Sequence, residues 1–454
     1  MRGPRETVEK ETADQPLKPT TSRETVSVEI LIKQVNPVVH VMQVALFTIL
    51  SSLTGGHVRI LETAYRYPRR PTFLIPRNYY VKLLNMLDTY YEGRFRDFIE
   101  NNTVELPPME ITHFYAYPKY IYDAMSKIKG DLSYFDLFYV PHEHIGMMML
   151  LKSIGVRWTA LLQLTPVIGA LDIDLPINPI RLMSLNLRLN GMGYIGDKLF
   201  EYLIAKAVLS GETVLSVSRS IPYEMRLMGL RARVKVLDPG IGIDEACFSC
   251  GDKDIDLVFF GRLRREKGVF DFIRVLNVLR RRMGMRPRAL IMGASDDETP
   301  RLVKAKLREL GLSGLVDVKV NLTRRELLSN LARARVFVYP TRLDSIGLVV
   351  IEALAHGIPV ITYDIPAMRL NYRTRAVLRV PFRDINSMAL VTAKLLSDEE
   401  YREGLANEGL RFVRRFDWVN VALREWEELG KIASEESKAP ETKVANVIKA
   451  IGIA

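Results

Sequence analysis

The segment 339–362 carries the residue types and spacing best suited to chemistry. A polar loop gives way there to an apolar helical run that begins at Gly347. The first turn of such a helix presents unbonded backbone N–H groups and the positive end of the helix dipole, which together suit a phosphate group. Glu352 lies one turn beyond Leu348 and points toward the same opening. Its carboxylate can accept hydrogen bonds from sugar hydroxyl groups there.

Buried strands on both sides of this helix position it. An apolar run ends at Tyr339 before the loop, and a second run begins at Val360 after the helix. Gly357 suits the left-handed position that closes a helix, and Pro359 prevents its continuation. Strand, loop, helix, turn and strand in this order form one unit of a parallel α/β sheet.

The second half of the chain repeats the same alternation. Strands are predicted at 256–260, 288–292, 316–320, 335–339, 358–362 and 377–380. Helices are predicted near 268–283, 299–311, 324–333, 347–356, 386–396 and 398–414. This alternation gives a parallel sheet with helices on both faces, and ligands of such sheets bind beyond the carboxyl ends of the strands.

The first half shows the pattern less clearly. Strands are predicted at 26–33, 58–61, 135–140, 158–164, 214–217 and 234–237. Helices are predicted at 41–53, 80–91 and 147–151. Residues 64–112 are aromatic and basic and contain several prolines, so no strand is assigned within them.

The segment from Asp344 to Glu352 resembles the acidic signature of the family 4 retaining glycosyltransferases, which have the GT-B fold. In that family two glutamates are separated by seven residues, and the two carboxylates here have the same separation. Asp344 is one methylene group shorter than the glutamate of the family. Residues 260–268 resemble a second element, in which a strand is followed by Gly-Arg and then by Lys-Gly, with Arg262 and Lys267 as its two cations.

The resemblance implies a role for each matching residue. Arg262 and Lys267 would hold the two phosphates of a nucleotide-sugar, because fixed cations stabilise the diphosphate as it departs. Asp344 would bind the donor sugar and Glu352 the ribose. Further contacts to the donor would come from Gly261, Ser345, Gly347 and Leu348. Since the cations replace a metal ion, the resemblance implies neither a metal site nor a cofactor.

Three more segments resemble the family in the same order along the chain, at 215–220, 236–244 and 416–418. The resemblance implies the α/β class and the GT-B architecture, in which two Rossmann-like, doubly wound parallel-sheet domains face each other across a cleft. The predicted divisions are a disordered tail at 1–25, an amino-terminal acceptor domain at 26–248, a nucleotide-sugar-binding domain at 249–415, and a carboxyl-terminal helix with a tail at 416–454. That helix is expected to return to the first domain.

The function that the resemblance implies is transfer of a sugar, with retention, from a nucleoside-diphosphate sugar to a glycan or lipid-linked acceptor. Two alternatives remain open. A non-catalytic sugar-nucleotide-binding relative is suggested by Asp344 and by residues 163–166, which contain no histidine where many relatives have one. A basic nucleic-acid-binding protein is suggested by the net charge, with the arginines and aromatic residues of 64–96 as its candidate surface.

The composition is that of a globular protein with two or three domains: 454 residues, 48% hydrophobic and 26% charged. The net charge of +11, from 64 basic and 53 acidic residues, favours polyanionic partners. The expected partners are a nucleotide-sugar donor, a glycan or lipid-linked acceptor and an anionic membrane surface, with nucleic acid the less favoured. High Arg and Glu content with few His and Cys residues also fits a thermophilic source.

Two stretches bear on where the protein acts. Residues 1–25 are charged and lack the apolar core of a signal peptide. Residues 34–58 contain no Asp, Glu, Lys or Arg, but their Asn, Pro and Gly residues favour a buried strand and helix over a membrane span. The expected location is therefore cytoplasmic, peripheral on the inner face of the membrane.

Three other groups have ordinary alternatives. His142 and His144 follow a predicted strand and could serve the acceptor side as acid, base or hydrogen-bond donor, while local contacts within a loop explain them equally well. Cys247 and Cys250 lack the further ligands of a zinc site and are interpreted as a thiol pair on the connection between domains. Residues 172–174 form an Asp-x-Asp triplet. Such a triplet holds a divalent ion in transferases of another fold, but here it is interpreted as part of a loop.

Overall fold

The computed structural model of the chain describes residues 28–31, 72–76, 84–85, 96–97, 100, 103–106, 137–140, 143, 145–153, 155, 157–166, 202–243, 253–294, 298–416 and 418–434. Several predictions lie outside these described residues: the tail at 1–25, the helix at 41–53, the strand at 58–61, the triplet at 172–174, His142, His144, Cys247 and Cys250.

The amino-terminal domain is built on a parallel sheet, which within the described ranges has seven strands in the order β3-β2-β1-β4-β5-β6-β7. The strands are β1 (Val28–Leu31), β2 (Thr72–Pro76), β3 (Thr103–Leu106), β4 (Leu137–Val140), β5 (Trp158–Leu162), β6 (Thr213–Ser216) and β7 (Arg233–Val236). Helical segments are α1 (Ile145–Ser153), residues 202–209, and α2 (Ser220–Leu227).

The second domain is built on a parallel sheet of six strands, counted over the described residues, in the order β10-β9-β8-β11-β12-β13. The strands are β8 (Ile255–Phe260), β9 (Ala289–Gly293), β10 (Val316–Val320), β11 (Ala334–Tyr339), β12 (Val360–Tyr363) and β13 (Val377–Val380). The helices are α3 (Val269–Met283), α4 (Thr299–Glu309), α5 (Arg324–Ala332), α6 (Leu348–Ala355), α7 (Pro366–Asn371), α8 (Ile385–Ser397) and α9 (Glu399–Val413), and α10 (Trp418–Ser434) follows them.

The central strands of the second sheet are apolar because both of their faces are covered. β8 and β11 are neighbours, and the carboxyl half of each is an unbroken run of buried residues. Phe337 and Tyr339 stack with ring centroids 5.2 Å apart, and Phe259 lies 5.8 Å from Phe272 of α3. This aromatic cluster ties α3 to the two strands from which the candidate site extends.

The predicted fold class is confirmed, as is the alternation predicted for the second half, where the ends of the twelve predicted elements fall within two residues of their expected positions. Gly357 closes α6 in the left-handed conformation, with a φ of 65°. The stretch 64–112, left without a strand, contains β2 and β3. β2 has only a short apolar core between two prolines, so its pattern is too brief to predict a strand. Helix α7 was not predicted either, because its six residues make fewer than two helical turns and show no clear helical period.

The helix α10 packs on the first domain. The hydroxyl group of Tyr139 on β4 donates a hydrogen bond to the carboxylate of Glu425 on α10. Just before α10, the carbonyl oxygen of Phe416 accepts a hydrogen bond from the N–H group of Ile243 at 3.0 Å. Glu425 is 1% exposed, and burial raises its pKa to about 7 although the hydrogen bond from Tyr139 opposes the rise.

Glu425→Gln is expected to reduce the pH dependence of folding stability by the share that this carboxyl group contributes. Between the ordinary pKa of 4.5 and the raised pKa of about 7, the folded protein keeps a proton on Glu425 that the unfolded chain loses. The free energy of unfolding therefore falls as the pH rises through this window, by up to about 3 kcal/mol. The glutamine side chain does not ionise in this pH range, so it contributes no such fall. Urea unfolding of both proteins at a series of pH values measures the difference.

Glu428→Gln is the matched control on the same helix. Burial raises the pKa of Glu428, but the charges of Lys431 and Lys235 hold it below the ordinary value. Its substitution therefore leaves the fall in stability between pH 4.5 and about 7 in place. A fall as steep in Glu425→Gln as in the wild type would contradict a buried neutral carboxyl group.

Candidate functional site

The candidate site forms where two neighbouring strands end. β8 and β11 are parallel and adjacent, with Val258 opposite Phe337. The loop after β8 carries Arg262, and the loop after β11 carries Asp344. Because the carboxyl ends of parallel strands meet at one edge of a sheet, both loops lie on the ligand-binding side.

Gly268 allows the two loops to touch. Its φ of 87° is a left-handed conformation that favours glycine, and a Cβ atom there would lie 1.9 Å from the carbonyl oxygen of Pro340. Nearby, the N–H group of Arg342 donates to the carbonyl oxygen of Glu266 over 2.8 Å. The short 3-10 helix Arg265–Lys267 is thereby held against the loop that follows β11.

Lys267 and Asp344 form an ion pair at the centre of the site. The Lys267 Nζ atom donates to Oδ2 of Asp344 at 3.0 Å and to the carbonyl oxygen of Leu343 at 2.9 Å. The two side chains are only 13% and 11% exposed, so the pair is largely shielded from water. An ammonium group has three N–H donors, so the contacts among the described residues leave one of them for a ligand.

The carboxylate of Asp344 accepts hydrogen bonds from three groups. Besides Lys267, the Tyr339 hydroxyl group donates to Oδ2 at 2.8 Å and the N–H group of Ser345 donates to Oδ1 at 3.0 Å. Burial by itself would raise the pKa of Asp344, but Lys267 and the hydrogen bonds hold it below the ordinary value. A carboxylate has roughly four positions for accepting hydrogen bonds, so among the residues that the structure describes one remains for a sugar hydroxyl group.

Arg262, five residues before Lys267 on the loop that follows β8, has an exposed side chain. Within the described ranges, no hydrogen bond or ion pair engages its guanidinium group. Its positive charge reaches the hydroxyl group of Tyr339, where it opposes the rise in pKa that burial causes. The Arg262 guanidinium and the Lys267 ammonium are therefore two cations available to an anion bound at this edge of the sheet.

The amino end of α6 adds backbone donors. Gly347 precedes the helix in a left-handed conformation, with a φ of 72°. The N–H group of Val350 donates to the carbonyl oxygen of Gly347 at 2.8 Å. The N–H groups of Leu348 and Val349 come before that bond in the first turn, where helix N–H groups are available to an anion.

Glu352 lies one turn farther into α6 and is only 1% exposed. Helical spacing predicts that it points toward the opening, whereas the structure buries its side chain. Burial raises the pKa of the Tyr372 hydroxyl group, and the charges of Asp344 and Glu352 both add to that rise. The same hydroxyl donates to the carbonyl oxygen of Gly347 at 3.0 Å. Both carboxylates thus lie around one buried hydroxyl group at the start of α6.

A buried aspartate that the sequence did not single out anchors the loop of the site. Asp271 on α3 is 1% exposed, and its Oδ2 atom accepts hydrogen bonds from Arg342 at 2.9 Å and Tyr363 at 3.0 Å. Its Oδ1 atom accepts one from Arg274 at 2.9 Å. Arg342 opens the loop that carries Asp344, so this network fixes the start of that loop.

The first domain contributes a carboxylate next to the predicted acceptor-side histidines. Glu143 lies between His142 and His144, which are outside the described residues. Its Oε2 atom accepts hydrogen bonds from the N–H groups of Gln163 at 3.1 Å and Leu164 at 3.3 Å. Burial raises the pKa of Glu143, and these bonds partly offset the rise. The sequence signal that could have identified Glu143 is its position between the two candidate histidines.

The two domains touch directly beside the site. The carbonyl oxygen of Ser345 accepts hydrogen bonds from Ser218 Oγ at 2.5 Å and from Asn371 Nδ2 at 2.9 Å. The amide of Asn371 also donates to Ser218 Oγ at 2.8 Å. Ser345, predicted as a donor contact, thus uses its carbonyl group to join the domains. We call these residues the interdomain contact.

The described residues contain neither a cluster of metal ligands nor a membrane-spanning helix. No group of three or more His, Cys, Asp or Glu side chains is arranged to hold a metal ion in that part of the chain. No helix among the same residues is long and apolar enough to span a membrane.

The two parallel sheets and the site between them define the GT-B fold, which solved structures share. The chain matches a sucrose-phosphate synthase from Thermosynechococcus elongatus with a TM-score of 0.64 and 15% identity, over 90% of this chain and 100% of that one. It matches the Anabaena protein HepE, solved in complex with UDP and glucose, with a TM-score of 0.58 and 14% identity, over 89% and 99% of the two chains. At these identities the likeness establishes the fold alone.

The sequence itself matches a family model within its second half. Residues 249–412 match the model of the family described as Glycosyl transferases group 1. A D-inositol 3-phosphate glycosyltransferase of Corynebacterium urealyticum is 29% identical over 212 residues, which are 42% of this chain and 50% of that protein. The chain spans about half the length of the curated relatives that it matches. The matched family region contains the loops of Arg262 and Asp344.

Proposed function

We propose that the protein is a retaining glycosyltransferase of family 4 type that uses a nucleoside-diphosphate sugar. The observation that carries this proposal is the convergence of Arg262, Lys267 and the amino end of α6 on one edge of the second sheet. Three sources of positive charge at one edge suit a diphosphate. The group 1 family match over residues 249–412 supports the same conclusion.

In the proposed reaction, the bond between the anomeric carbon and the diphosphate oxygen breaks while the acceptor oxygen attacks the same face of the sugar. The acceptor proton passes to the departing phosphate. Arg262 and Lys267 stabilise the negative charge that the phosphate gathers, so no metal ion is required for this role. Asp344 orients the donor sugar through its one remaining position. Glu352, which is 1% exposed, would bind the ribose only if donor binding opens the start of α6.

The proposed acceptor is a glycan or a lipid-linked sugar, in a cytoplasmic setting at the inner face of the membrane. The net charge of +11 supports an anionic surface as a partner, and the same charge would suit a phosphorylated acceptor.

A non-catalytic sugar-nucleotide-binding protein is the second candidate. The engagement of Asp344 by Lys267, Tyr339 and Ser345 favours it, because little of the carboxylate is left to act on the sugar.

Arg262→Ala is expected to weaken nucleoside-diphosphate binding by about 10- to 100-fold, the value of one charge-assisted contact to phosphate. The measurement is the thermal shift of the protein with UDP, GDP and ADP, followed by titration with the nucleotide that stabilises it most. The corresponding sugar nucleotides then distinguish turnover from binding alone. Stabilisation without turnover, across a set of sugar acceptors, would favour the second candidate.

Arg265→Ala is the matched control on the same loop. Arg265 is exposed like Arg262, but its guanidinium lies 5.8 Å from the ring centroid of Phe270. The control is therefore expected to bind the nucleotide as the wild type does. Equal binding by both variants and the wild type would remove Arg262 from the phosphate site, and no stabilisation of the wild type by any of the three nucleotides would refute the proposed function.

A further inference from the structure

The first domain directs a polar pair at the site that the proposed reaction does not yet use. Thr165 follows β5, and Glu224 lies on α2, which follows β6. β5 and β6 are parallel neighbours, so both residues extend from the carboxyl edge of the first sheet. The hydroxyl group of Thr165, which is buried, donates a hydrogen bond to the carboxylate of Glu224. The carboxylate is thus held in place at that edge.

Glu224 also faces the loop of Asp344 in the other domain. Ser220 precedes Glu224 by one turn of α2, so the two side chains lie on the same face of the helix. The Oγ atom of Ser220 lies 3.3 Å from the carbonyl oxygen of Ser345, which directly follows Asp344. The interdomain contact therefore brings Glu224 to the boundary between the domains, opposite the residue proposed to orient the donor sugar.

The electrostatics of Glu224 agree with this position. Burial is the main reason that its pKa rises to about 7, and the charge of Asp344 adds to the rise. Hydrogen bonds from Thr165 and Ser220 oppose it. Among the other charged or titratable groups nearby, Lys267 is paired with Asp344, and Glu143 binds the loop before Thr165. Tyr223 and Arg226 lie on α2 itself.

We propose that Glu224 belongs to the glycosyl-acceptor site, where its carboxylate accepts a hydrogen bond from a hydroxyl group of a sugar or polyol acceptor. This inference rests on the proposed function. Each carboxylate oxygen has two lone pairs, so the bonds from Thr165 and Ser220 leave room for a third donor. With the donor sugar at Asp344, an acceptor held at Glu224 would sit between the two domains with its oxygen against the anomeric carbon. Thr165 acts as a positioning residue that orients the carboxylate.

The test compares wild type with Glu224→Gln, which keeps the shape and the oxygen that accepts from Thr165 but removes the charge. Initial rates are measured with UDP-glucose and GDP-mannose as donors and with methyl α-glucoside, methyl α-mannoside and myo-inositol as acceptors. The KM for the acceptor is expected to rise by about 10- to 100-fold, as for loss of one charge-assisted hydrogen bond. Donor binding is expected to stay at the wild-type level.

The pH profile supplies a readout that a merely structural role would not change. In the wild type the KM for the acceptor is expected to fall as the pH rises through about 7, because the ionised carboxylate accepts hydrogen bonds more strongly. Glu224→Gln is expected to abolish this dependence. If the dependence persists in the variant, another group such as Glu143 causes it, and the assignment of Glu224 is overturned.

Glu212→Gln is the matched control, since Glu212 precedes β6 at the opposite edge of the same sheet, where it pairs with Lys152 at 2.8 Å. It is expected to leave the KM for the acceptor unchanged. Three results would overturn the inference: an unchanged acceptor KM in Glu224→Gln, a raised donor KM instead, or donor hydrolysis by the wild type with transfer to none of the three acceptors. A wild type that neither binds nor hydrolyses a donor would refute the proposed function itself.

Discussion

Lys267→Ala is expected to lower the rate of glycosyl transfer by about 100- to 1,000-fold, the effect of removing one fixed group that stabilises a developing anion. The diphosphate loses a cation that is only 13% exposed and therefore weakly screened by water. Asp344 loses its ion pair at the same time. Burial then raises the pKa of Asp344 with less opposition, and the loop at Leu343 loses a hydrogen bond at 2.9 Å. Initial rates over a range of donor concentrations measure both kcat and KM.

Two further variants separate the loss of the phosphate contact from the loss of the ion pair. Lys267→Arg keeps a cation and is expected to retain more activity than Lys267→Ala. Asp344→Asn removes the ion pair but leaves Lys267 charged, so nucleotide binding is expected to persist while transfer falls. Activity of Lys267→Ala within a few-fold of wild type, with unchanged folding stability, would remove Lys267 from the phosphate site.

The sequence predicted the second domain well because its signals are local. An apolar strand followed by Gly261 and Arg262, or a helix closed by Gly357, can be recognised from a few adjacent residues. The structure places the predicted cations and Asp344 on two neighbouring loops, and it brings Lys267 within 3.0 Å of Asp344.

What the sequence did not reveal depends on packing between distant segments. Helical spacing placed Glu352 one turn from Leu348, but its burial and its nearness to Tyr372 depend on how more distant parts of the chain fold around α6. The anchoring of Arg342 by Asp271 joins residues on different elements, and neither has a local signature. Glu224 resembles any acidic residue of an amphipathic helix until the hydrogen bond from Thr165 marks it.

Asp271→Ala is expected to lower the free energy of unfolding by about 3–5 kcal/mol, the cost of removing one partner from a buried charged network. Asp271 is 1% exposed and accepts hydrogen bonds from Arg342, Tyr363 and Arg274. In the variant, the guanidinium of Arg342 stays partly buried although the carboxylate that balances its charge is gone. Urea unfolding at neutral pH measures the change.

Asp364→Ala is the control with the same chemistry in an exposed place. Asp364 pairs with Arg369 at 2.8 Å, close to the 2.9 Å between Asp271 and Arg342, but its side chain is 37% exposed. Its loss is expected to cost only about 0–1 kcal/mol, because water screens such a pair. A similar cost for both substitutions would contradict the anchoring role of Asp271.

Asp271→Asn keeps an oxygen for Tyr363 but removes the charge that holds Arg342. The loop that carries Asp344 is then no longer fixed at its start. The variant is therefore expected to lose transfer activity at temperatures where the protein remains folded.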